Sequence, residues 1–530
     1  MAEQLQTEPT TGKWKIWALI AALVVLGGGY FANKMYMEKQ VIADIKETLA
    51  NLPGGFVLKA ENISVNTLLK STVLTKVTGS GKINGETITV SADSAEGKGI
   101  NLHAFDGKGV TRLGDSLTLH NVKIAGPGLD VSMDLYQLEN VEGDFAAISE
   151  QYGKLLAMVG ASAAAKTAKD QEASEKAGAD MLAAMQAGSF DALGTLHIGK
   201  FRTENYILTT TNSAIIKHPA VRKLTVRMAV SEGTDYSITH YGPMSGRGLV
   251  VEINDKPLAN LEEMSLKSMD MPPLKELATL AAASKPSLKN LKMSMQDLRL
   301  KKLDITLPME QQEKISLDDF NCSFGLDKSS GTLGLKVGAL DLPTELLVRD
   351  NPPGSALLTQ GLLPPRILLN KDVDIAATSK DNDVFDVLVK ANASIKDLGA
   401  VVFSSDLLDL TSSAAGRRVP QLGKLDVSVT DGGFMKAVLA TTAMMGGKGG
   451  TPEAARADLI AQVEATRETL PHQSLKDVAT ALAAFLKQPG GTVRVTLAPE
   501  KPVPLNIASM SMLGNDAAKL GISSSFTPGK

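Results

Sequence analysis

The segment LTLHNVKI (117–124) carries the pattern that decides the fold of this chain. Apolar and polar residues alternate, two polar residues interrupt the alternation, and the alternation then resumes. A period of two is typical of β-strands, and the inserted polar pair shifts the side-chain parity, as a β-bulge does. The pattern therefore predicts a strand that bends at its middle.

The same pattern recurs along the chain, although composition alone would give about two strict matches in a sequence of this length. The other strict matches are LKAENISV (58–65), MSLKSMDM (264–271), MSMQDLRL (293–300) and ISLDDFNC (315–322), and LNIASMSM (505–512) fits with one position relaxed. This repetition predicts similar bent strands stacked one after another.

Plain alternation of apolar and polar residues predicts further strands outside these segments. Their apolar positions are Leu224, Val226, Met228 and Val230; Leu303, Ile305 and Leu307; Leu333, Leu335 and Val337; Phe385, Val387 and Val389; Leu425, Val427 and Val429; and Val493, Val495 and Leu497. Strands with one apolar and one polar side are typical of antiparallel sheets that are covered on one side only.

Helical segments interrupt the predicted sheets. Residues 144–188 are rich in alanine and other helix formers, and they predict either a protruding pair of exposed helices or a mobile linker. Shorter helices are expected at 272–284 and 433–443, and Pro471 divides residues 452–487 into two helices. The segment 341–366 is rich in proline and glycine, which predicts a loop.

Together these patterns predict an α+β fold that is mostly β, with an N-terminal transmembrane helix followed by antiparallel curved sheets with helical insertions. The predicted segments are a short N-terminal tail (1–13), the transmembrane helix (14–36), an amphipathic stalk helix (37–55), a β-rich domain (56–143), the Ala-rich helical insertion (144–188), a β-rich repeat-like domain (189–410) and an α/β C-terminal region (411–530). The stalk is expected because apolar residues from 41 to 52 fall on one face at helical spacing.

The predicted transmembrane helix contains no charged residue from 16 to 32, and the whole stretch is long enough to span a bilayer. Both tryptophans of the chain lie at its front edge, and aromatic and basic residues flank both ends, as at membrane–water interfaces. The predicted anchor residues are Trp14, Trp17, Ile20, Leu23, Val24, Leu26, Tyr30, Phe31 and Tyr36.

Two alternatives to an anchor are a cleaved signal peptide and a buried core helix. Tyr30-Phe31-Ala32 is a poor cleavage site, and core helices rarely stay free of charge for this length. The basic residues on the two sides nearly balance, so the orientation rests on the short tail, which favours an N-terminus in the cytoplasm. In a bacterium, the bulk would then be periplasmic and anchored in the inner membrane.

Composition excludes several classes of function. The 55 basic and 58 acidic residues give a net charge of -3, so no basic excess draws the chain onto nucleic acid. Cys322 is the one cysteine, which excludes an intramolecular disulfide, and it occupies an apolar position typical of a small buried hydrophobe. Aromatic residues make up 4% of the chain, which favours thin sheet layers over a thick core.

Motifs of known chemistry are incomplete in this sequence. Gly79-Ser80-Gly81-Lys82 lacks the first glycine of a phosphate-binding loop, because Lys76 stands there. The six histidines are scattered without the spacing of zinc sites, and solvated or structural roles are favoured for them. The sequence therefore predicts no catalytic residue, no cofactor and no metal site.

The overall plan resembles bacterial proteins of the AsmA-like and YdgA-like groups. The resemblance is carried by the N-terminal membrane helix, the recurrent β segments quoted above, the element LPGG (52–55) and the closing PGGTVRVTLAPEKPVPL (489–505). AsmA-like proteins are linked to binding or moving lipid between bacterial membranes, and the resemblance implies such a role here. The helical stretches at 144–188 and 452–487 depart from an uninterrupted repetitive sheet.

Three hypotheses of function follow from the sequence. The first is a non-enzymatic envelope protein whose one-sided sheets bind lipid or support outer-membrane assembly, with the bilayer, bound lipid and other envelope proteins as partners. The second is a structural scaffold or docking protein that uses its exposed helices. The third is a hydrolase, for which no residue can be nominated. The first is our prediction.

Overall fold

The computed structural model describes most of the chain after the N-terminal segment. The described residues are 42–43, 45–47, 49–50, 57–66, 70–83, 86–101, 109–148, 150–151, 171–211, 220–282, 291–307, 313–327, 329–381, 384–411, 419–446, 450–505 and 517–529. The predicted anchor, with all nine of its residues, lies outside this part of the chain. In the described part, no helix is both long and apolar enough to cross a bilayer.

The chain is built mainly from long strands, in agreement with the alternation in the sequence. The strands are β1 (Val57–Lys59), β2 (Asn62–Asn66), β3 (Ser71–Ile83), β4 (Glu86–Lys98), β5 (Thr111–Gly126), β6 (Leu129–Gly143), β7 (His197–Thr210), β8 (Leu224–Ser237), β9 (His240–Tyr241), β10 (Met244–Ile253), β11 (Lys256–Leu266), β12 (Ser268–Asp270), β13 (Met293–Thr306), β14 (Lys314–Asp327), β15 (Ser330–Pro343), β16 (Arg366–Asp381), β17 (Val384–Ile395), β18 (Gly399–Thr411), β19 (Gln421–Asp431), β20 (Thr492–Leu497), β21 (Val503–Pro504) and β22 (Ile522–Thr527).

Helices are fewer and lie between the strands. They are α1 (Gln171–Gln186), α2 (Leu274–Ala282), α3 (Thr344–Val348), α4 (Pro352–Thr359), α5 (Phe434–Gly446), α6 (Pro452–Thr469) and α7 (Gln473–Lys487), with 3-10 turns at Asp191–Thr195 and Ala517–Leu520. Residues 145–148 and 150–151 are also helical.

Consecutive long strands pair antiparallel, as β3–β4–β5–β6–β7–β8–β10–β11 in one run and β14–β15–β16–β17–β18–β19–β20–β22 in another. The prediction of a mostly β, antiparallel fold with helical insertions is confirmed. Two compact units divide the chain, the first ending at Ser294 and the second beginning at Met295.

This division differs from the domain boundaries expected at 143/144, 188/189 and 410/411. The sequence prediction placed boundaries where helices interrupt the strands. In the structure β6 pairs directly with β7 across the insertion 144–188, and β18 pairs directly with β19 across 412–418. Hydrogen bonds between strands therefore continue where composition changes, and each insertion leaves its sheet intact.

A line of interrupted pairing, called here the crease, crosses the sheet of the first unit. It contains Lys76, Asp93, Asn121, Asp134 and Asn205, and the register on either side of it is preserved. Lys76, Asn121 and Asn205 have φ angles of 48°, 51° and 49°, which bend a strand as a bulge does. Asn121 Nδ2 donates to Asp93 Oδ2 and Asn205 Nδ2 donates to Asp134 Oδ2, each at 2.7 Å.

The crease explains the parity shift predicted for LTLHNVKI. Apolar residues three positions apart lie on its two sides and are buried in one core: Leu74 and Val77, Ala92 and Ala95, Leu119 and Val122, and Met133 and Tyr136. An unbent strand would turn one member of each pair to the opposite face. Asp297, in 293–300, also has a positive φ, and 58–65 and 264–271 are each divided between two strands at the polar residues.

The segment 315–322 behaves differently, because β14 keeps its register with β15 through Asp318 and Asp319. The positive φ at this level belongs to Ala339 of β15. Only one of these two neighbouring strands therefore has the positive φ, and the sequence pattern of one strand does not show which of the two it is.

The first unit has the larger core. Residues 45–47 and 49–50 are helical, and Ile45 and Leu49 are buried against β-strand residues such as Leu58. The apolar side expected for the stalk thus packs into the first unit's core. Helix α1 packs against α2, where Gln186 Nε2 donates to the carbonyl of Ala278 at 3.3 Å.

Most of the predicted helices occur close to their expected bounds. Helix α2 lies within 272–284, α5 starts one residue after 433, and α6 and α7 divide 452–487 beside Pro471. Within 144–188, residues 145–148 and 150–151 and helix α1 are helical, and residues 149 and 152–170 are outside the described part. The expected loop at 341–366 was wrong in part, because α3 and α4 form there; Asn351 caps α4 by accepting from the backbone N–H of Gly354.

Candidate functional site

The sheet of the second unit separates apolar from polar side chains. Cys322, Leu335, Val373, Ala391 and Phe403 are cross-strand partners in five successive strands, β14 to β18. Because side chains alternate along a strand, the residues two positions away lie on the same side. We call this side of β14–β18 the apolar face.

Two further rows extend the apolar face along the strands. One contains Phe324, Leu333, Ile375 and Val389, and the next contains Leu326, Gly331, Ala377, Val387 and Leu407. None of these side chains is fully buried, and Leu333 is 38% exposed. An apolar surface of this extent is usually covered in a soluble domain.

The opposite side of the same strands is polar. It carries Lys336 opposite Asp372 and Asp374 opposite Lys390, and on the adjacent strands β19 and β20 Asp426 forms a salt bridge with Arg494. Arg494 Nε donates to Asp426 Oδ1 at 2.9 Å. Facing charges of opposite sign on this side suit exposure to water, so the sheet has one wet and one apolar side.

Helix α7 covers the apolar side only at the end of the sheet. Ala481 and Phe485 of α7 are buried with Val493 of β20, and Val429 of β19 packs against them. Val401 of β18 is the direct cross-strand partner of Val429 and is 44% exposed. In the described part of the chain, the cover therefore ends between β19 and β18.

Asp431 holds this helical cover in place. Its Oδ1 accepts from the backbone N–H groups of Gly433 and Met435, and its Oδ2 accepts from that of Gly490, each at 3.0 Å. Gly433 and Met435 begin α5, and Gly490 follows α7, so one carboxylate joins both ends of the α5–α7 insertion. Burial would raise the pKa of Asp431, but the three donors and Arg456 outweigh it, so this pKa lies below its ordinary value.

The apolar face also carries a charged side chain, Lys371. Lys371 lies two residues from Val373 on β16, directly between Val337 and Ala393 of the neighbouring strands. The Lys371 side chain is exposed, and within the described part of the chain no carboxylate forms a salt bridge with it.

A second cluster of polar residues lies in the first unit. Asp235 Oδ1 is 2.8 Å from His197 Nε2, and Asp235 Oδ2 is 3.3 Å from His240 Nε2. His240 Nδ1 is 2.7 Å from Asp270 Oδ1, and Ser294 Oγ donates to Asp270 Oδ2 at 2.9 Å. The histidines are scattered along the sequence, and the pairing of β7, β8 and β9 brings two of them onto one carboxylate.

The geometry of this cluster favours a charged His240. A neutral imidazole donates from one nitrogen only, whereas both ring nitrogens of His240 face carboxylates. The Asp270 carboxylate, and then Asp235, hold the pKa of His240 above its ordinary value, and the pKa values of Asp270 and Asp235 lie below theirs. The serine hydroxyl bonds to a carboxylate rather than to an imidazole, so the cluster lacks the nucleophile–base pair of a hydrolase.

No group of histidine, cysteine, aspartate and glutamate in the described residues could hold a metal ion. Cys322, expected to be a buried hydrophobe, lies on the apolar face and is partly exposed. Its partial exposure agrees with the lack of any described element over β14–β18. Alternation in the sequence predicted that each strand has an apolar side, but it does not indicate which of these strands a helix covers.

Comparison with known proteins adds one match. A family model whose description reads "Uncharacterized protein" matches residues 383–524, which run from β17 to β22 and include α5–α7. No curated protein and no solved structure matches the chain. The matched segment contains the Asp431 junction and the covered end of the sheet. Fold and site together define a one-sided antiparallel β-sheet protein with a helical cap at one end.

Proposed function

We propose that this chain is a membrane-anchored, non-enzymatic envelope protein that binds lipid on the apolar face of its second unit. The observation that carries the proposal is the row of apolar cross-strand partners from β14 to β18, which no described element covers. In this proposal, acyl chains take the place that a second sheet or a helix layer takes in a closed domain.

Burial of hydrocarbon supplies the binding energy. Each methylene removed from water contributes about 0.8 kcal/mol, so a long acyl chain needs no catalytic or polar group to be retained. The side chains involved are mainly valine, leucine and alanine, which present methyl groups without hydrogen-bonding atoms. A passive apolar surface of this kind suits binding or passage of lipid, and it agrees with the role that the AsmA-like resemblance implies.

The membrane attachment belongs to the same proposal. The uncharged stretch within 14–36 would anchor the chain in the bacterial inner membrane as a single span, with the bulk in the periplasm. Such an anchor would keep the apolar face close to a source of lipid. Protease treatment of spheroplasts tests the orientation: cleavage of the bulk from outside supports it, and full protection contradicts it.

The single cysteine provides a direct test of lipid binding. A fluorophore attached to Cys322 of the full-length chain lies on the apolar face, so a fatty acid that carries a nitroxide near its chain end should quench it strongly. The matched control replaces Cys322 with serine and Ser323 with cysteine. Residue 323 is the next residue on β14 and lies on the polar side, opposite Gly334.

Strong quenching at position 322 and weak quenching at 323 supports the proposal. Equal quenching at both positions, or none at 322, contradicts it. As a second measurement, lipid is extracted from the purified full-length chain and identified by mass spectrometry. A preparation free of copurifying lipid argues against binding in the cell.

A scaffold or docking role is the second candidate, because α6 has no buried residue. Helix α6 packs on α7, where Lys487 Nζ lies 2.6 Å from Glu464 Oε1, and it also contacts α5, while side chains such as Asp458 and Glu468 are exposed. Substituting exposed α6 residues such as Asp458 and Glu468 should release a bound partner if this role is correct, and it should leave quenching at Cys322 unchanged.

A further inference from the structure

The apolar face has an amphipathic strip centred on β16. Going along this strand from Lys371, the residues on the same side are Val373, Ile375 and Ala377. From residue 371 to residue 377 there are six steps along the strand, which span about 20 Å. The strip thus begins at a cation and continues as hydrocarbon over roughly the length of an extended long acyl chain.

Small side chains lower the surface beside the strip. Ala391 is the cross-strand partner of Val373 and Ala393 is the partner of Lys371, whereas Leu335 and Leu333 border the other side. The two alanines leave room beside the cationic end of the strip, and Val389 and Val387 continue the apolar surface along β17.

The position of Lys371 differs from that of the other lysines on these strands. Lys336 and Lys390 lie on the polar side, where Asp372 and Asp374 are their cross-strand partners. Lys371 has Val337 and Ala393 as its partners, and no described carboxylate pairs with it. This exposed ammonium group therefore remains available for a charge-assisted hydrogen bond to an anionic group supplied by a ligand.

We propose that the apolar face takes a long-chain fatty acid, with the carboxylate against the Lys371 ammonium group and the chain lying over Val373, Ile375 and Ala377. This inference rests on the proposed lipid binding and adds the chemical class of the ligand. One positive charge matches one carboxylate, and the length of the strip matches a single chain.

The test compares a fatty acid with its uncharged analogue. Binding of palmitate and of hexadecanol to the full-length chain is measured by displacement of a fluorescent fatty acid. The wild type should bind palmitate more tightly than hexadecanol by roughly threefold or more, the range expected for one partly exposed ion pair. Lys371→Met keeps the length and the apolar stem of the side chain, and it should bring the palmitate-to-hexadecanol ratio close to one.

Two further variants complete the comparison. Lys371→Arg keeps the charge and should restore the preference for the acid. Lys390→Met removes an equally exposed lysine from the polar side and should leave the preference at its wild-type value. A preference that persists in Lys371→Met, or is lost in Lys390→Met, overturns the role of Lys371.

The outcome also separates this inference from the proposed function. If the wild type binds both ligands equally, lipid binding stands and recognition of the carboxylate is wrong. If neither ligand binds, the proposed function fails with it. Circular dichroism of each variant must match the wild type, so that loss of preference reflects loss of the charge.

Discussion

Leu119 and Val122 lie three positions apart on β5, and both are fully buried in the same core. In a regular strand they would point to opposite sides. Asn121 lies between them at a φ of 51°, and this conformation turns Val122 back toward the core. The positive φ is therefore a condition for core formation in the first unit.

Replacing Asn121 should destabilise the first unit in proportion to the cost of positive φ. Asn121→Val places a β-branched residue in this conformation and removes the hydrogen bond to Asp93, so we expect a loss of roughly 1–3 kcal/mol. Asn121→Gly should lose about 1 kcal/mol or less, because glycine tolerates the conformation. Urea unfolding followed by circular dichroism measures both.

Lys123→Val is the matched control for this series. Residue 123 is exposed on the same strand and lies in regular pairing with Ser132. Valine is favourable at such a position, so the midpoint should stay close to that of the wild type. An equal loss in Lys123→Val and Asn121→Val would mean that φ at position 121 is not the cause.

Asp431 should be the most sensitive carboxylate at the helical cap. Asp431→Ala leaves three backbone N–H groups without their acceptor, and we expect the second unit to lose roughly 3 kcal/mol or more. Asp458→Asn, on the exposed surface of α6, should change stability by less than about 0.5 kcal/mol. Hydrogen exchange of α5 and of the turn around Gly490 locates the effect: both segments should lose protection together in Asp431→Ala.

The pH dependence of the same junction follows from the lowered pKa of Asp431. A carboxyl with a lowered folded pKa stabilises the protein above its ordinary value of 3.8, and this contribution is lost as the pH falls through the folded value. The cap should therefore lose stability only below about pH 4. Loss of exchange protection in this segment between pH 5 and 7 would contradict the assignment.

His240 should make the contact between β9 and β12 sensitive to pH in the opposite direction. A histidine with a raised pKa contributes fully below its ordinary value of 6.5, and the contribution is lost as the pH rises through the folded pKa. Asp235, Asp270, His197 and Lys292 are the charged groups around it. The contributions of the Asp235 and Asp270 carboxylates are fully present above pH 3.8. The contact between β9 and β12 is therefore strongest between about pH 4 and 6.5.

The backbone amide of Met271 reports on this contact, because it donates to the carbonyl of Thr239 at 2.8 Å. Its exchange protection should fall as the pH rises above 6.5 in the wild type and should be low and independent of pH in His240→Ala. His120→Ala, on β5, should behave as the wild type. A protection factor that stays constant in the wild type from pH 5 to 9 would contradict the prediction.

A bulky residue at the centre of the apolar face should block lipid. Ala391 lies between Val373 and Phe403, and Ala391→Trp would place an indole ring over the apolar face beside β16. We expect nitroxide quenching at Cys322 to fall several-fold. Asn392→Trp, one residue away on the polar side, should leave it unchanged; a similar loss in both variants would indicate a general disturbance of β17.

The sequence predicted much of the secondary structure because local physics decides it. Alternation predicted the strands, and helix-forming residues together with Pro471 predicted most of the helices. The polar pair in 117–124 predicted a parity shift, and Leu119 and Val122 confirm it. The segment 341–366 was misjudged in part, since its prolines begin helix α4 rather than prevent it.

The candidate site was less predictable, because it depends on which strands become neighbours. His197 and His240 are 43 positions apart in the sequence and meet Asp235 only through the pairing of β7, β8 and β9. Lys371 looks like one more exposed lysine until its partners Val337 and Ala393 are known. Pairing partners such as these come from distant parts of the chain.

By itself, the sequence determined that the chain forms antiparallel strands with one apolar side, because side-chain alternation is a local property of the backbone. Short polar pairs also predicted bends such as the one at Asn121, although the irregularity expected in 315–322 lies at Ala339 of the neighbouring strand. Only the tertiary structure decided where the apolar side is covered: α7 covers Val429 but not its neighbour Val401. That outcome depends on where Asp431 fixes the helical insertion, which involves contacts across 59 residues of chain.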